Sequence, residues 1–417
     1  MEGIEVPSFF LCPISFQIMR DPVTLPTGIT YDRHSIDRWL FTDNHDTCPI
    51  TKVPLTGRDR DLITPNHTLR RLIQAWCVAN ASVPDGIERF PTPRPPVDRA
   101  HVAKLIDEAR SHPQQPLLLL ASLRKLKSIV GESDRNRSCV ESSGAVDFLA
   151  SVVEINSTDM QEEEAAAAAA VVDEALGILH SLQVSEQRLV DLVGSRGDFV
   201  DTLTAVLQHS SYQSRAYASL MLKSLLPVLS SAQIMGLKEQ LFVEMVKVLK
   251  DRISYQATKA ALRVLSTTIP WGRNKVKAVE AGAVPVLIDL LLDETEKKGC
   301  EMTLVVLSRL SECAEGRAEV VGHAAGIAVV SKKLVRVSIV ATERAVRIVH
   351  SVAKFSPTSK VLKEMLEFGV VSKLCLLVQV DCGKKTKDRV KEILRLHSRV
   401  WRNSPCISPQ LHTSYPA

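Results

Sequence analysis

Apolar residues along this chain fall into two registers. Before residue 80 they come in short runs broken by turn residues, and after residue 100 they recur at helical spacing almost without interruption. Residues 23–25 and 29–31 flank Pro26-Thr27-Gly28, which predicts a hairpin closed by a tight turn. Asp32 then stands where a helix N-cap is wanted, with Ile36, Trp39 and Leu40 on one face behind it. Pro65-Asn66 opens a second helix carrying Leu69, Leu72, Ile73 and Trp76 at the same spacing.

The stretch 82–97, SVPDGIERFPTPRPPV, holds five prolines. Proline fixes φ and lacks an N–H, so a semi-rigid linker is expected over 82–99. Beyond it four segments resemble one another: ESSGAVDFLASVVE, EAGAVPVLIDLLLD, HAAGIAVVSKKLVR and EFGVVSKLCLLVQV. Within them Val284, Ile327 and Val370 lie 43 residues apart, and weaker copies begin near Val200 and Val243. A helical period in the low forties is the signature of armadillo or HEAT units, each burying its apolar face against the next. The longer step from Val146 to Val200 places an insertion near 157–164, where Thr158 and Gln161 have the spacing of a capping box.

Composition agrees with stacked helices, being 45% apolar but only 5% aromatic over 417 residues. The N-terminus, MEGIEVPSFF, has no basic segment followed by an apolar one, and the bland run 165–172 is too short to span a membrane. Nine scattered cysteines are expected to be reduced thiols, in cytoplasm or nucleus. Net charge is −1 over residues 1–80 and +6 over the rest, too mild to imply nucleic acid.

Cys12-Pro13 looks like the start of a zinc site. A two-zinc cross-brace needs eight ligands in close pairs. Residues 1–80 supply Cys12, Cys48, Cys77, His34, His45 and His67, with no C-x-x-C. No metal is expected, and the cysteines read as small buried hydrophobes. Such a short domain then needs another staple. Ser15, Asp21, Thr27, Asp32, Arg33, Ser35, Asn66 and His67 are the polar candidates for a hydrogen-bonded network.

FFLCPISFQIMRDPVTLPTGITYDRHSIDRWL, CPITKVPL and LITPNHTLRRLIQAWC together resemble the U-box, the metal-free relative of the RING domain in ubiquitin ligases. The resemblance covers residues 5–79. The rest resembles the plant U-box/armadillo ligases, in particular the subgroup linked to defence and drought signalling. The implied fold is mainly α: a small α+β U-box over 5–79, an armadillo solenoid over 100–402 and a tail over 403–417.

The implied activity is that of a U-box E3 ubiquitin transferase without a cofactor and without a thioester of its own. It would present a ubiquitin-loaded conjugating enzyme (E2) to lysines of substrates held by the repeats. The resemblance assigns E2 contact to Ile14 with Cys12 and Pro13 in the first loop, to Pro49 and Ile50 in the second, and to Trp39 between them. Lys52 falls where some U-boxes carry an Arg that holds E2 and ubiquitin together. Self-association through the U-box is common in relatives. Neither Cys12 nor Cys48 has an adjacent base or an evident depressed-pKa setting in sequence. The alternative is an armadillo adaptor with a non-catalytic U-box.

The third helices of the repeats, expected over 213–226, 256–267, 299–311, 341–353 and 387–400, would line a substrate groove. They carry Arg215, Lys259, Arg263, Arg309, Arg344 and Arg347, which favour an acidic or phosphorylated segment. Residues 384–402 hold eight basic residues against two acidic ones. Val390, Ile393, Leu394, His397 and Trp401 there share one face, that of a final packing helix. Thr64-Pro65 and Thr92-Pro93 offer the minimal context for proline-directed phosphorylation.

Overall fold

The computed structural model describes residues 6–43, 45–55, 63–79, 97–111, 115–156, 162–209 and 211–402. The chain divides into two compact units, residues 1–152 with 166–184, and residues 153–165 with 185–417.

The first unit opens with a three-stranded antiparallel sheet in the order β2 (Thr30–Asp32), β1 (Pro22–Thr24), β3 (Thr64–Pro65). Val23 pairs with Tyr31 on one side and with Pro65 on the other. Gly28, at φ 82°, takes the left-handed position of the hairpin turn, and its N–H donates to the Leu25 carbonyl at 2.8 Å. Helix α1 (Arg33–Asp37) follows and widens into a π-helical turn over Arg38–Thr42. Helix α2 (His67–Ala79) closes the domain, with the Asn66 side chain accepting from the Leu69 N–H at 3.0 Å. Tyr31, Ile36, Leu40, Cys12, Cys48 and Ile73 form its buried centre.

Asp32 does not cap α1 as the sequence suggests. Its carboxylate instead accepts from the Arg20 and Asp21 N–H groups at 2.7 and 2.9 Å. Asp21 in turn binds Arg33 Nε at 2.5 Å and faces Arg70 at 3.7 Å. This buried clamp, with Asn66 Nδ2 on Thr24 Oγ1 and Thr27 on Cys48, is the expected polar staple. The side chains of Ser15, Ser35 and His67 take no part in it among the described residues. The same unit carries helices Arg99–Arg110, Pro116–Glu132 and Asp134–Ser142, the last packed against α1 and the π-helical turn.

The second unit is an α-solenoid of armadillo-type repeats. Its third helices, Tyr212–Leu225, Tyr255–Thr268, Lys297–Leu310, Ile339–Phe355 and Lys384–Leu396, stack in sequence order. Three of them start alike, with Ser211, Ser254 and Ser338 each accepting from the N–H three residues on. Polar stitches join successive repeats. Lys333 reaches the Glu294 carbonyl at 2.8 Å, Lys373 the Ser331 carbonyl at 2.6 Å and His397 the Ala353 carbonyl at 2.7 Å, across 39 to 44 residues.

The C-terminal helix is shorter than the expected 387–400 face. It ends at Leu396, and a separate turn over Ser398–Trp401 buries Trp401 fully. His397 leaves the helical register there to hold the Ala353 carbonyl. The proline-rich stretch, the 158–161 capping box, Thr92 and the tail lie outside the described residues.

Candidate functional site

Two turns of the first unit are copies of one another. Cys12-Pro13-Ile14-Ser15-Phe16-Gln17 and Cys48-Pro49-Ile50-Thr51-Lys52-Val53 share a sequence pattern and a hydrogen-bond pattern. Cys12 N–H donates to the Gln17 carbonyl at 2.8 Å, and Cys48 N–H to Val53 at 2.9 Å. Phe16 N–H returns to Cys12 at 2.8 Å, and Lys52 N–H to Cys48 at 3.0 Å. Isolated bridges, Leu11 with Ile18 and Thr47 with Pro54, seal both at the same register. Phe16 and Lys52 each sit at φ 56°, a costly left-handed conformation for side-chain-bearing residues.

One strand anchors both turns. The Tyr31 hydroxyl meets Cys48 Sγ at 3.1 Å and accepts from Ile50 N–H at 3.4 Å, while Asp32 N–H donates to Cys12 Sγ at 3.3 Å. The sulfurs of both cysteines thus serve as hydrogen-bond acceptors inside the core. Burial raises the Cys48 thiol, but hydrogen bonds from Thr27, Thr51 and Tyr31 outweigh it and bring the pKa down to about 6. Tyr31 is pushed well above its ordinary value, chiefly by burial and by its bond to Cys48, so it keeps its proton and donates. The depressed-pKa setting that the sequence did not reveal therefore exists at Cys48. With no exposed surface, that sulfur stabilises a turn and is closed to attack on a substrate.

The predicted contact residues divide by exposure. Cys12 is fully buried and bonded to Asp32 N–H, so it cannot touch a partner and is removed from the contact set. Pro13, Ile14, Trp39 and Pro49 are half-buried, with Ile14 and Trp39 resting on the core, and Ile50 is 52% exposed. Trp39 is fixed by its indole N–H on the Thr47 carbonyl at 2.8 Å and by stacking on His45, ring centres 3.8 Å apart. Lys52 Nζ lies 5.7 Å from the Trp39 ring centre. Phe16, 78% exposed at the tip of the first turn, was missed by the sequence reading. Its signal was the sixfold correspondence CPISFQ to CPITKV, which aligns Phe16 with Lys52. Thr64 lies exposed in β3, paired with Thr24.

The back of α1 faces the first repeats. Thr42 Oγ1 donates to Asp134 Oδ2 at 2.7 Å, and Arg137 pairs with the other oxygen of Asp134 at 3.0 Å. Asp37 beside them is buried, and burial pushes its carboxyl up to about 7 against the pull of Arg33 and Arg135. Neither Asp37 oxygen has a hydrogen-bond partner among the described residues.

Three of the six predicted groove cations are neutralised within the chain. Arg215 binds Asp251 at 2.7 Å, Lys259 faces Glu296 at 3.8 Å and Arg347 binds Glu343 at 2.9 Å. Arg263, Arg309 and Arg344 have no carboxylate partner among the described residues.

A small sheet-and-helix domain with paired loops, ahead of helical repeats, defines a class, and family comparison names it. Residues 6–82 match the U-box domain, and residues 101–417 match the plant U-box protein ARM repeat region. The chain belongs to the plant U-box/armadillo family. It is 49% identical to E3 ubiquitin-protein ligase PUB23 of Arabidopsis thaliana over 100% of this chain and 98% of that protein. It is 48% identical to E3 ubiquitin-protein ligase PUB22 over the full length of both. It is 37% identical to E3 ubiquitin-protein ligase PUB24 over 99% of this chain and 96% of that one.

Proposed function

We propose that this chain, a U-box E3 ubiquitin transferase like those relatives, recruits a ubiquitin-loaded E2 through its paired turns. The single observation that carries the reading is the duplicated Cys-Pro-Ile turn, held to Tyr31 and Asp32 and carrying Ile14, Phe16, Pro49 and Ile50. Trp39 completes the apolar set. Large apolar groups in a small patch carry most of an interface's energy. Lys52 would steady the E2–ubiquitin pair as a point charge, without the planar fork of an Arg.

The chemistry is aminolysis of the E2–ubiquitin thioester by a substrate lysine. The E2 supplies the cysteine and this chain supplies none. Its contribution is orientation of the thioester and proximity of the acceptor amine. The armadillo repeats hold the substrate, along third helices that carry Arg263, Arg309 and Arg344. The setting is plant defence or stress signalling, in the cytoplasm or nucleus.

The test is chain formation with purified E1, E2, ubiquitin and Mg-ATP. Unaltered protein should build chains, and Ile14→Ala should not while remaining folded. Undiminished chain formation and E2 binding in Ile14→Ala would overturn the assignment of the turns.

A further inference from the structure

Reading the repeats as a substrate platform leaves open what kind of segment they hold, and the distribution of charge along the third helices narrows it. Four cations there are cancelled locally. Arg215 has Asp251, Lys259 has Glu296, Arg347 has Glu343 and Lys354 has Glu392. Arg263 and Arg344 have no such partner among the described residues, and both lie within electrostatic reach of Arg309.

Arg309 is the centre of the group. Its guanidinium bonds the Ser266 carbonyl of the preceding repeat and lies 3.3 Å from the Ser266 hydroxyl, which fixes its direction. Burial, then Arg344, Arg263 and Arg347 together, pull its pKa below the ordinary arginine value. Glu312 opposes them, but Lys275 already holds Glu312 at 2.8 Å. The Nε atoms of Arg344 and Arg347 are buried with no hydrogen-bond partner among the described residues. Like charges gathered in a half-buried place repel, and unsatisfied guanidinium donors there carry a desolvation cost. A ligand with two or more negative charges relieves the repulsion, and the planar fork of arginine matches carboxylate and phosphate oxygens.

We infer that Arg263, Arg309 and Arg344, on three successive third helices, form an anion subsite for a peptide segment with clustered negative side chains. Consecutive carboxylates and a phosphorylated residue share the required chemistry. A peptide fits better than a nucleic acid, because Arg215, Lys259 and Arg347, beside the three on these helices, are already paired with Asp251, Glu296 and Glu343. The inference rests on the repeats being the substrate platform, and its test does not depend on ligase activity.

The experiment uses the full chain and three fluorescein-labelled peptides in one Gly-Ser frame. One carries three consecutive Glu, one a single phosphoserine and one three Gln. A fluorescein-labelled single-stranded oligonucleotide is the fourth probe. Anisotropy should show the triglutamate or the phosphoserine peptide binding about tenfold or more tightly than the triglutamine peptide. Which of the two binds identifies the source of the negative charge. The pair Arg263→Gln and Arg344→Gln should abolish the difference. Rising salt should weaken the anionic peptides and leave the triglutamine peptide alone, a readout that needs no variant. Equal binding of all three peptides, undiminished binding in the double variant, or tighter binding of the oligonucleotide than of either anionic peptide would overturn the subsite. Chain formation by the same preparation is read in parallel. Its absence alongside intact peptide binding overturns the ligase reading and leaves the subsite standing.

Discussion

Phe16 and Lys52 occupy one backbone position twice. Each sits at φ 56°, and each donates its N–H to the carbonyl of the cysteine four residues before it, at 2.8 and 3.0 Å. One side chain is a bare aromatic and the other a cation resting near Trp39. The turn therefore sets where both point, and the residue type sets what each offers a partner. Backbone and side chain can be separated by glycine, which adopts the left-handed conformation without penalty. Phe16→Gly should leave U-box stability unchanged or raise it by about 1 kcal/mol. E2 affinity should fall by about 1–3 kcal/mol. An NMR titration with E2 that gives the same affinity for variant and parent would remove Phe16 from the interface.

Lys52 invites the complementary change. Arginine at this position keeps the charge and adds a planar fork able to bond two partners at once. Single-turnover discharge of E2–ubiquitin onto free lysine should be roughly threefold faster with Lys52→Arg and slower with Lys52→Ala, at equal E2 affinity. Equal discharge rates in all three proteins would leave Lys52 as a surface cation near an indole.

Much of this was legible along the chain. The third helices fall within a few residues of the segments expected from the period, and the second U-box helix opens directly after Pro65-Asn66 as expected. Periodicity reports neighbours three and four residues apart. It is silent about partners that only folding brings together. Asp32 looked like a cap because a helix follows it, yet it spends its oxygens on the Arg20 and Asp21 amides. Arg215 looked free, yet Asp251 lies beside it from 36 residues on. The largest miss is the bond from Thr42 to Asp134, 92 residues apart, beyond a proline-rich stretch that read as a clean break. A U-box fragment ending before residue 100 loses that contact, so it is expected to be less stable than the same domain in the full chain.

Cys48 gives a pH-dependent prediction. Its thiol stands near 9 when unperturbed and about 6 in the fold. A depressed acid stabilises the folded state fully above the unfolded value, and that stabilisation is lost as pH falls from about 9 towards 6. Tyr31→Phe removes one of the three hydroxyl donors and should move the thiol back up. The variant should lose about 1–2 kcal/mol relative to the parent at pH 8, with the gap narrowing towards pH 6. Urea unfolding followed by Cys48 alkylation at several pH values reads this directly. A gap that stays constant with pH would show that the tyrosine contributes by packing alone. Activity measured with excess Mg-ATP and a zinc-selective chelator should be unaffected, because the sulfurs bond to Tyr31, Thr27 and the Asp32 amide.

Asp37 runs the opposite way. Its carboxyl is raised from an ordinary 3.8 to about 7, chiefly by burial, with Arg33 and Arg135 opposing. A raised acid costs the fold nothing below the unfolded value. The cost grows as pH climbs from about 4 to 7 and is constant above. Both carboxyl oxygens are buried without hydrogen-bond partners among the described residues, so the charged form is poorly served at the place where α1 meets helix Asp134–Ser142. Asparagine preserves the shape and cannot ionise. Asp37→Asn should therefore match the parent near pH 4 and exceed it by about 1–3 kcal/mol at pH 8. Hydrogen exchange of the Ile36 and Leu40 amides in the full chain, corrected for the intrinsic pH dependence of exchange, measures the local opening energy. A variant less stable than the parent at pH 8 would mean that the charge pairs productively with Arg33 and Arg135, and that this contact is an ion pair rather than a strained one.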